Sequence, residues 1–504
     1  MLLQSFTSRW KTAILLLFVA VALRMWDFGN PVIHVDEQFY LLVGDRMLHG
    51  DLPYVDIWDR KPIGLFLLFA GIRLLPGDGI LAYQIVATLF AAATAWMIDR
   101  GALRLGAARA GALAAAIAYL IWLSLLNGRG GQSPVFYNLF MAAAALLTLR
   151  LPVLAKAGAI RAVLGNGLIV CLLSGIAIQM KYTPVIEGIY FGLAHLWFLH
   201  RAGGRLPILA GAGLAWAIAG LLPTLAAIGY YAWIGPDALH AFWFANVISI
   251  ALRPGYPADQ IAMRLLGVAA QLSPLIVAAG IAWRWRRRMG FAGEGSIIAW
   301  GWLGAALIGF LAIGTYFDHY ALPLIAPLAL VAAPALGRSA RIMVGVLGLA
   351  LLLFVIKLAM QPRNADGARA VAAVVKANSG SECPWVAIGD TITYRLADAC
   401  LPTPYVFPNL LIYSTEQGAI GIDEAGEVRR IVAARPPVIV TSSRSLNIWN
   451  RASFSVAKSA LRADYRLVFS TPHDNYRSLV YLRRDLPFRN PASNHATVRR
   501  GAPE

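Results

Sequence analysis

Charge is scarce in this sequence: Asp, Glu, Lys and Arg make up only 14% of its 504 residues, where a soluble domain carries about 25%. With 59% hydrophobic residues and a mean hydropathy of +0.62, the composition excludes a soluble enzyme of this length. Cysteine is scarcer still, at three residues. Cys171 lies within an apolar run and reads as a small packing residue. Cys383 and Cys400 pair if their part of the chain faces an oxidising compartment. Three further absences narrow the function. No small-residue cleavage site follows the first apolar run, Thr12 to Leu23, so that run reads as a retained helix. No internal repeat of the kind that marks many transporters is visible. The stretch Gly128-Arg129-Gly130-Gly131 has no strand before it and is no nucleotide fingerprint.

Apolar runs are abundant. A helix needs about 20 residues to cross roughly 30 Å of hydrocarbon, and about 11 spans are expected, at approximately 11–28, 80–98, 110–126, 135–149, 163–180, 184–199, 206–229, 264–283, 296–314, 319–336 and 341–358. The net charge of +18 invites a nucleic-acid reading, but the basic residues up to position 360 sit mostly in short alternate loops. These include Arg100/Arg104/Arg109, Arg150/Lys156/Arg161 and Arg284/Arg286/Arg287/Arg288. That alternation sets membrane orientation rather than binding a polymer, and it puts the N-terminus in the cytoplasm. The apolar segment Pro62 to Pro76, about fifteen residues, is too short to span and is expected at the outer membrane surface. An odd number of spans then leaves the C-terminal part outside.

The chain accordingly divides into a membrane-embedded all-α part, 1–360, and an extracytoplasmic α/β domain, 361–504. In the second part, helical patterns at Ala368–Lys376, Glu424–Ala434 and Phe454–Ala463 interleave with strand patterns. The strands are expected at Trp385–Ile388, Pro437–Thr441, Tyr465–Phe469 and Ser478–Leu482. Residues after about 487 read as a polar, disordered end.

Against this background one stretch stands out. Asp27, Asp36, Glu37, Asp45, Asp51, Asp56 and Asp59 crowd into the segment after the first span, where a plain connection needs only a few residues. Adjacent carboxylates such as Asp36-Glu37, just past a membrane helix, can serve as a general base or help hold a divalent cation; the plain alternative is a solvated loop pair. Arg60 and Lys61 precede a helix expected to begin at Pro62, whose free N–H groups favour an anion such as a lipid phosphate. The plain alternative for Lys61 is snorkelling to headgroups. Lys181, at the outer end of its span, is either an anchor or part of a site. His319, beside Asp318 and Tyr320, is either part of a site or a histidine simply hydrogen-bonded at a helix start, and Arg129 either meets a phosphate or a sugar or sits in a glycine stretch that only makes turns.

Asp36-Glu37 followed by Tyr40, then Met47-Leu48-His49-Gly50-Asp51 and Lys61-Pro62-Ile63-Gly64, resembles the first outer loop of GT-C glycosyltransferases. The branch it is most similar to holds the lipid A aminoarabinose transferase, the lipopolysaccharide-core galacturonic acid transferases and protein O-mannosyltransferases. The likeness extends more weakly through Met180-Lys181 and His319-Tyr320-Ala321-Leu322-Pro323. The resemblance implies transfer of a sugar, with inversion, from a polyprenyl-phosphate-linked donor to a lipid, glycan or protein acceptor, on the outer face of the inner membrane. No nucleotide and no nucleic acid are implied. Asp36 would be the base, with Glu37 beside it. Arg60, Lys61, Arg129, Lys181 and His319 would serve the donor phosphate, and Tyr40, Asp59 and Tyr320 the substrates. Two departures leave metal dependence open: the loop Asn127 to Pro134 has no acid, and Arg60 stands where relatives can carry a carboxylate before the Lys-Pro. Two rivals from other classes are a transporter or lipid flippase, which calls for paired broken helices and mid-membrane charges, and a membrane-anchored binding protein.

Overall fold

The computed structural model describes residues 2–491 apart from 289, 292, 313 and 445–447; the polar end expected after about 487 lies, from 492 on, outside the described residues. A first helix, α1 (Leu2–Arg24), is followed by two short ones, α2 (Val35–Met47) and α3 (Ile63–Arg73). Then come α4 (Ile80–Arg104), α5 (Arg109–Leu125), α6 (Ser133–Thr148), α7 (Leu151–Lys156), α8 (Ile160–Ile178), α9 (Pro184–Arg201) and α10 (Leu206–Ile234). Two further short helices, α11 (Pro236–Trp243) and α12 (Ser249–Ala251), precede α13 (Ala258–Trp285), α14 (Glu294–Leu311), α15 (Leu322–Arg338) and α16 (Ala340–Ala359). Among the described residues eight helical segments are long and apolar enough to cross a membrane, and α1, α5 and α9 occupy the other three expected span positions.

The bundle is built around α15, most of whose residues are buried. A helix apolar on every side belongs in such a position. The facing helix α5 presents Ala112, Ala114, Ala115, Ala116 and Ala118, all buried. Small side chains let helix backbones approach closely, which is how helices pack when lipid offers no hydrophobic contrast. α10, α13 and α15 run unbroken through Pro223, Pro274, Pro327 and Pro334.

At one end of the bundle lie α2 and α3. At 1.5 Å per residue, the eleven residues of α3 reach only about 16 Å, so it does not span, in keeping with the reading of 62–76. Pro62 stands one residue before the helix rather than inside its first turn. α2 and α3 pack backbone to backbone: a Cβ on Gly44 would come within 2.6 Å of the Ala70 nitrogen. The N–H of Leu65 donates to the Gln179 carbonyl at the end of α8 (2.9 Å), fixing the start of α3 on the bundle.

The C-terminal part packs on this end. It contains α17 (Ala365–Ser379), α18 (Ile392–Ala397), α19 (Pro408–Ile412), α20 (Glu424–Ala433) and α21 (Arg451–Asp464). Its four-stranded sheet has β1 (Trp385–Val386), β2 (Val438–Ser442), β3 (Tyr465–His473) and β4 (Tyr476–Arg483) in the order β1-β2-β4-β3. β1 runs parallel to β2, with Trp385 opposite Ile439; the other pairs are antiparallel, with Val438 opposite Leu482. Central β2 buries Val438, Ile439 and Val440 in succession, while β4 buries Ser478, Val480 and Leu482 in alternation. α17 covers the sheet with Ala368, Val371, Ala372 and Val375, one face of a helix. A disulfide joins Cys383 to Cys400, whose Cα atoms are 4.9 Å apart.

Three contacts tie this domain to the segment after α1. Trp58 N–H donates to the Pro404 carbonyl (3.0 Å), Gln38 to Asp390 (3.0 Å) and Arg60 to Glu416 (2.6 Å). The acid-rich segment and the C-terminal domain therefore share one end of the molecule.

Candidate active site

The acid-rich segment is less of a loop than its composition suggests, because Asp36 and Glu37 lie in the first turn of α2. His34 caps that helix: its Nδ1 accepts from the Asp36 backbone N–H (3.3 Å) and from Gln132 Nε2 (2.7 Å). The two carboxylates diverge from there.

Asp36 faces a polar centre. Its Oδ2 lies 3.6 Å from His34 Nδ1 and 3.6 Å from His319 Nε2, and the two imidazoles meet edge to face at 4.7 Å. Burial works to raise the Asp36 carboxyl, but Lys61, His34, His319 and Lys181 overcome it and hold the group well below the usual carboxylate range. Lys61 Nζ stands 3.9 Å from Asp59 Oδ1 and 5.5 Å above the Tyr40 ring. The Tyr54 hydroxyl donates to the Lys61 carbonyl (2.7 Å), and Tyr54 itself has φ +71, uncommon for a tyrosine. On the other side Lys181 Nζ lies 4.0 Å over the ring of Tyr320. Burial, with Lys61 adding to it and Asp36 opposing, brings the Lys181 ammonium down to about 7.

Glu37 turns toward the loop between α5 and α6. Its carboxyl is buried against Gly130, where a Cβ would stand 1.8 Å from Oε2. Burial raises it to about 8, against the Gly131 N–H and Arg24 and with Asp36 and Asp27 adding to the rise. Their surroundings thus push the two adjacent carboxyls in opposite directions, Glu37 toward its protonated form and Asp36 toward its ionised form. Buried Arg24 donates to the Gly128 (2.5 Å) and Gly130 (2.7 Å) carbonyls and so shapes the wall that Glu37 touches.

Of the residues singled out in the sequence, the structure thus gathers Asp36, Tyr40, Asp59, Lys61, Lys181, His319 and Tyr320 around one centre, with Glu37 at its edge. Arg60 and Arg129 are directed elsewhere. Arg60 donates to Glu416 (2.6 Å) and Ser249 (2.6 Å), and Glu416 also takes Arg253 (2.6 Å). Arg129 pairs with Asp27 at 3.3 Å and donates to Gln361. His34, Gln132 and Arg24 went unnoticed in the sequence. The signal for His34 was its place two residues before Asp36; Gln132 and Arg24 become meaningful only through the fold.

His34, Asp36 and His319 offer ligand atoms all within 4.8 Å of one another and could hold a metal ion. Two imidazoles and one carboxylate suit a zinc-class ion better than magnesium or calcium, which prefer oxygen. His34 Nδ1 faces Asp36 and also accepts from the Asp36 N–H and meets Gln132, contacts that an ion bound there would have to replace.

This arrangement of a helical membrane bundle with a small α/β domain packed on one end has a counterpart among solved structures. The chain is similar in structure to ArnT from Cupriavidus metallidurans bound to undecaprenyl phosphate: TM-score 0.64, 14% identity, covering 94% of this chain and 98% of that one. Against the same protein in the apo state the TM-score is 0.57 at 15% identity, with the same coverage. No protein-family model and no curated protein matches the sequence.

Proposed function

We propose that the protein is an integral membrane glycosyltransferase that takes a sugar from a polyprenyl-phosphate-linked donor and places it, with inversion, on a hydroxyl of a lipid, glycan or protein acceptor. The orientation argued from the basic loops puts this chemistry on the outer face of the inner membrane, where the donor phosphate lies. One observation carries the reading: a carboxylate, Asp36, flanked by His34 and His319, lies in the field of two half-buried lysines, Lys61 and Lys181, at the end of the bundle on which the C-terminal domain packs. The fold shared with ArnT, solved with undecaprenyl phosphate, supports the donor class.

Lys61 and Lys181, with His319 beside them, receive the donor phosphate. A small cavity of about 80 Å³ beside Pro62 and Ile63, lined also by Ile228, Phe242 and Val247, offers apolar contact for the first part of the prenyl chain. The acceptor oxygen attacks the anomeric carbon from the side opposite the phosphate. The bond from that carbon to the phosphate oxygen breaks, its electron pair stays on the phosphate, and the acceptor proton passes to Asp36. In the resting site Asp36 is too well stabilised by cations to be a strong base. A bound phosphate draws Lys61 and Lys181 to itself and restores the basicity of Asp36 when it is needed. Tyr40 and Tyr320 hold the lysines over their rings, and Asp59 orients Lys61. Arg60 and Arg129, bound to Glu416 and Asp27, fix the walls. An ion held by His34, Asp36 and His319 would supply Lewis-acid stabilisation of the leaving phosphate.

The transporter reading finds less support, since the helices with internal prolines run unbroken and the charged centre sits at one end. Asp36→Asn separates the readings. A general base contributes about 10²–10⁴-fold, so the variant, at normal level in the membrane, is expected to lose transfer by that factor. The assay is mass spectrometry of envelope glycolipids and glycoproteins from cells with the wild-type gene, the variant or neither. Undiminished product with Asp36→Asn refutes the assignment, and no mass difference between cells with and without the gene refutes the transferase.

A further inference from the structure

A second cavity, of about 240 Å³, lies between the start of α2 and the C-terminal domain. We propose that it is a saccharide-binding subsite that holds a sugar unit of the acceptor next to the hydroxyl that reacts; this rests on the transferase reading above. Its domain wall is formed where β1 and β2 end, by Asp390 and Thr391 after β1 and by Ser442 and Arg444 at the end of β2. The carboxyl ends of parallel strands are a common place for ligands, because the chain opens into loops there. The opposite wall is His34 and Gln38.

The lining has unmet polar capacity. Asp390 is held from both sides, by Gln38 Nε2 at Oδ1 (3.0 Å) and by His473 Nε2 at Oδ2 (3.0 Å). Gln38 is buried and its Oε1 has no hydrogen-bond partner among the described residues; the same holds for the buried Thr391 hydroxyl. Buried polar atoms left unpaired are costly, and their presence in a cavity wall points to a polar occupant. A small rotation of either side chain would turn these atoms to the cavity, where a sugar hydroxyl could donate to the first and accept from the second. Tyr476, stacked on His473 at 4.7 Å and with the Arg444 guanidinium 5.7 Å over its ring, adds an aromatic edge and a hydroxyl to the lining. With Arg444 and His473 set against Asp390 and Asp474, the lining has no single strong charge, so a neutral saccharide fits it better than a phosphate. Ligand pockets for larger molecules run to about 300–1,000 Å³; this one takes a single unit.

His34 makes the connection. It lines the cavity, and its Nδ1 lies 3.6 Å from Asp36 Oδ2. A sugar seated against His34 is therefore one imidazole away from Asp36, which leaves the reacting hydroxyl to the adjoining part of the acceptor.

The test uses the purified full chain in detergent and saturation-transfer NMR with the methyl glycosides of glucose, galactose and N-acetylglucosamine as probes. Asn409→Trp fills the cavity from α19 without touching the catalytic centre; Thr391→Val keeps the shape and removes the hydroxyl. At least one glycoside is expected to receive saturation in wild type and lose it in Asn409→Trp. In membranes supplied with the envelope glycolipid fraction, Thr391→Val is expected to raise the acceptor concentration for half-maximal transfer about tenfold, leaving the donor dependence unchanged. Silence from all three glycosides, signals that survive Asn409→Trp, or an unchanged acceptor dependence in Thr391→Val overturns the subsite. Should Asn409→Trp fail to fold, Thr391→Val decides through both readouts. Glycoside binding that Asn409→Trp abolishes, in a protein that transfers no sugar, upholds the cavity and refutes the transferase.

Discussion

Gly130→Ala is the sharpest probe of how the site is held. A Cβ on Gly130 would lie 1.8 Å from Glu37 Oε2, 2.4 Å from Cδ and 2.6 Å from Oε1. Ordinary contact begins at 3.4 Å, so the carboxyl or the loop must yield about 1.6 Å (3.4 − 1.8). Neither has room. Glu37 is fully buried, and the Gly128 and Gly130 carbonyls are pinned by Arg24. Overpacking of this kind costs about 1–3 kcal/mol. The displacement passes to the neighbouring residue of the same helical turn, Asp36, and a shift of about 1 Å at a reacting group can lower a rate by about 10². The expected result is a fall in product of that order, measured by mass spectrometry, with the protein still in the membrane. Glu37→Asp shortens the acid by one methylene, so the double variant Gly130→Ala/Glu37→Asp is expected to recover part of the activity. Gly71→Ala, on α3 with nothing within 4 Å of its Cβ, is the control and is expected to be neutral or slightly stabilising. Wild-type transfer by Gly130→Ala, or no recovery in the double variant, would falsify the claim that Glu37 buttresses Asp36.

Three other outcomes are expected. Lys181→Met removes a charged donor worth about 1.5–3 kcal/mol to a bound phosphate, so the donor concentration for half-maximal transfer rises about 10- to 150-fold; an unchanged donor dependence would mean Lys181 is only an anchor. Glu416→Gln leaves Arg60 and Arg253 without their shared carboxylate. Breaking a buried pair costs about 3–5 kcal/mol, and the partial exposure of both arginines places this case at or below the lower end, read as protease cleavage of the C-terminal domain at lower temperature; identical digestion curves would refute the clamp. His473 gives a pH effect. Burial opposes its charge, but the hydrogen bond and charge of Asp390 overcome it and raise its pKa. The stabilisation is therefore complete below the ordinary value of about 6.5 and lost as pH rises through the raised one. Wild-type melting temperature should fall across that window relative to His473→Gln, and parallel curves would exclude the pair as a contributor.

How far the sequence could be read depended on the range of the interactions. In the C-terminal domain β2, expected at Pro437–Thr441, forms at Val438–Ser442, and the helix expected at Glu424–Ala434 forms at Glu424–Ala433. Their periodicity is written locally. Lys61, Lys181 and His319 could be picked out because charges are rare near apolar runs, but their convergence on Asp36 is a product of packing. Arg60 and Arg129 show the limit. Each looks like a phosphate ligand from its neighbours alone, yet each has an acid from a remote part of the chain as partner. The helix at Val35–Met47 was hidden as well, since its mixed face is stabilised by α3 and α18 rather than by a regular apolar stripe.

The bond from Arg60 to Glu416 joins positions 356 residues apart. A nascent chain therefore emerges with Arg60 still lacking its carboxylate, and the last domain to leave the ribosome is the one that locks the second inter-helix segment in place. Proteins truncated before residue 416 would keep the helical bundle yet lack the carboxylate that Arg60 and Arg253 share.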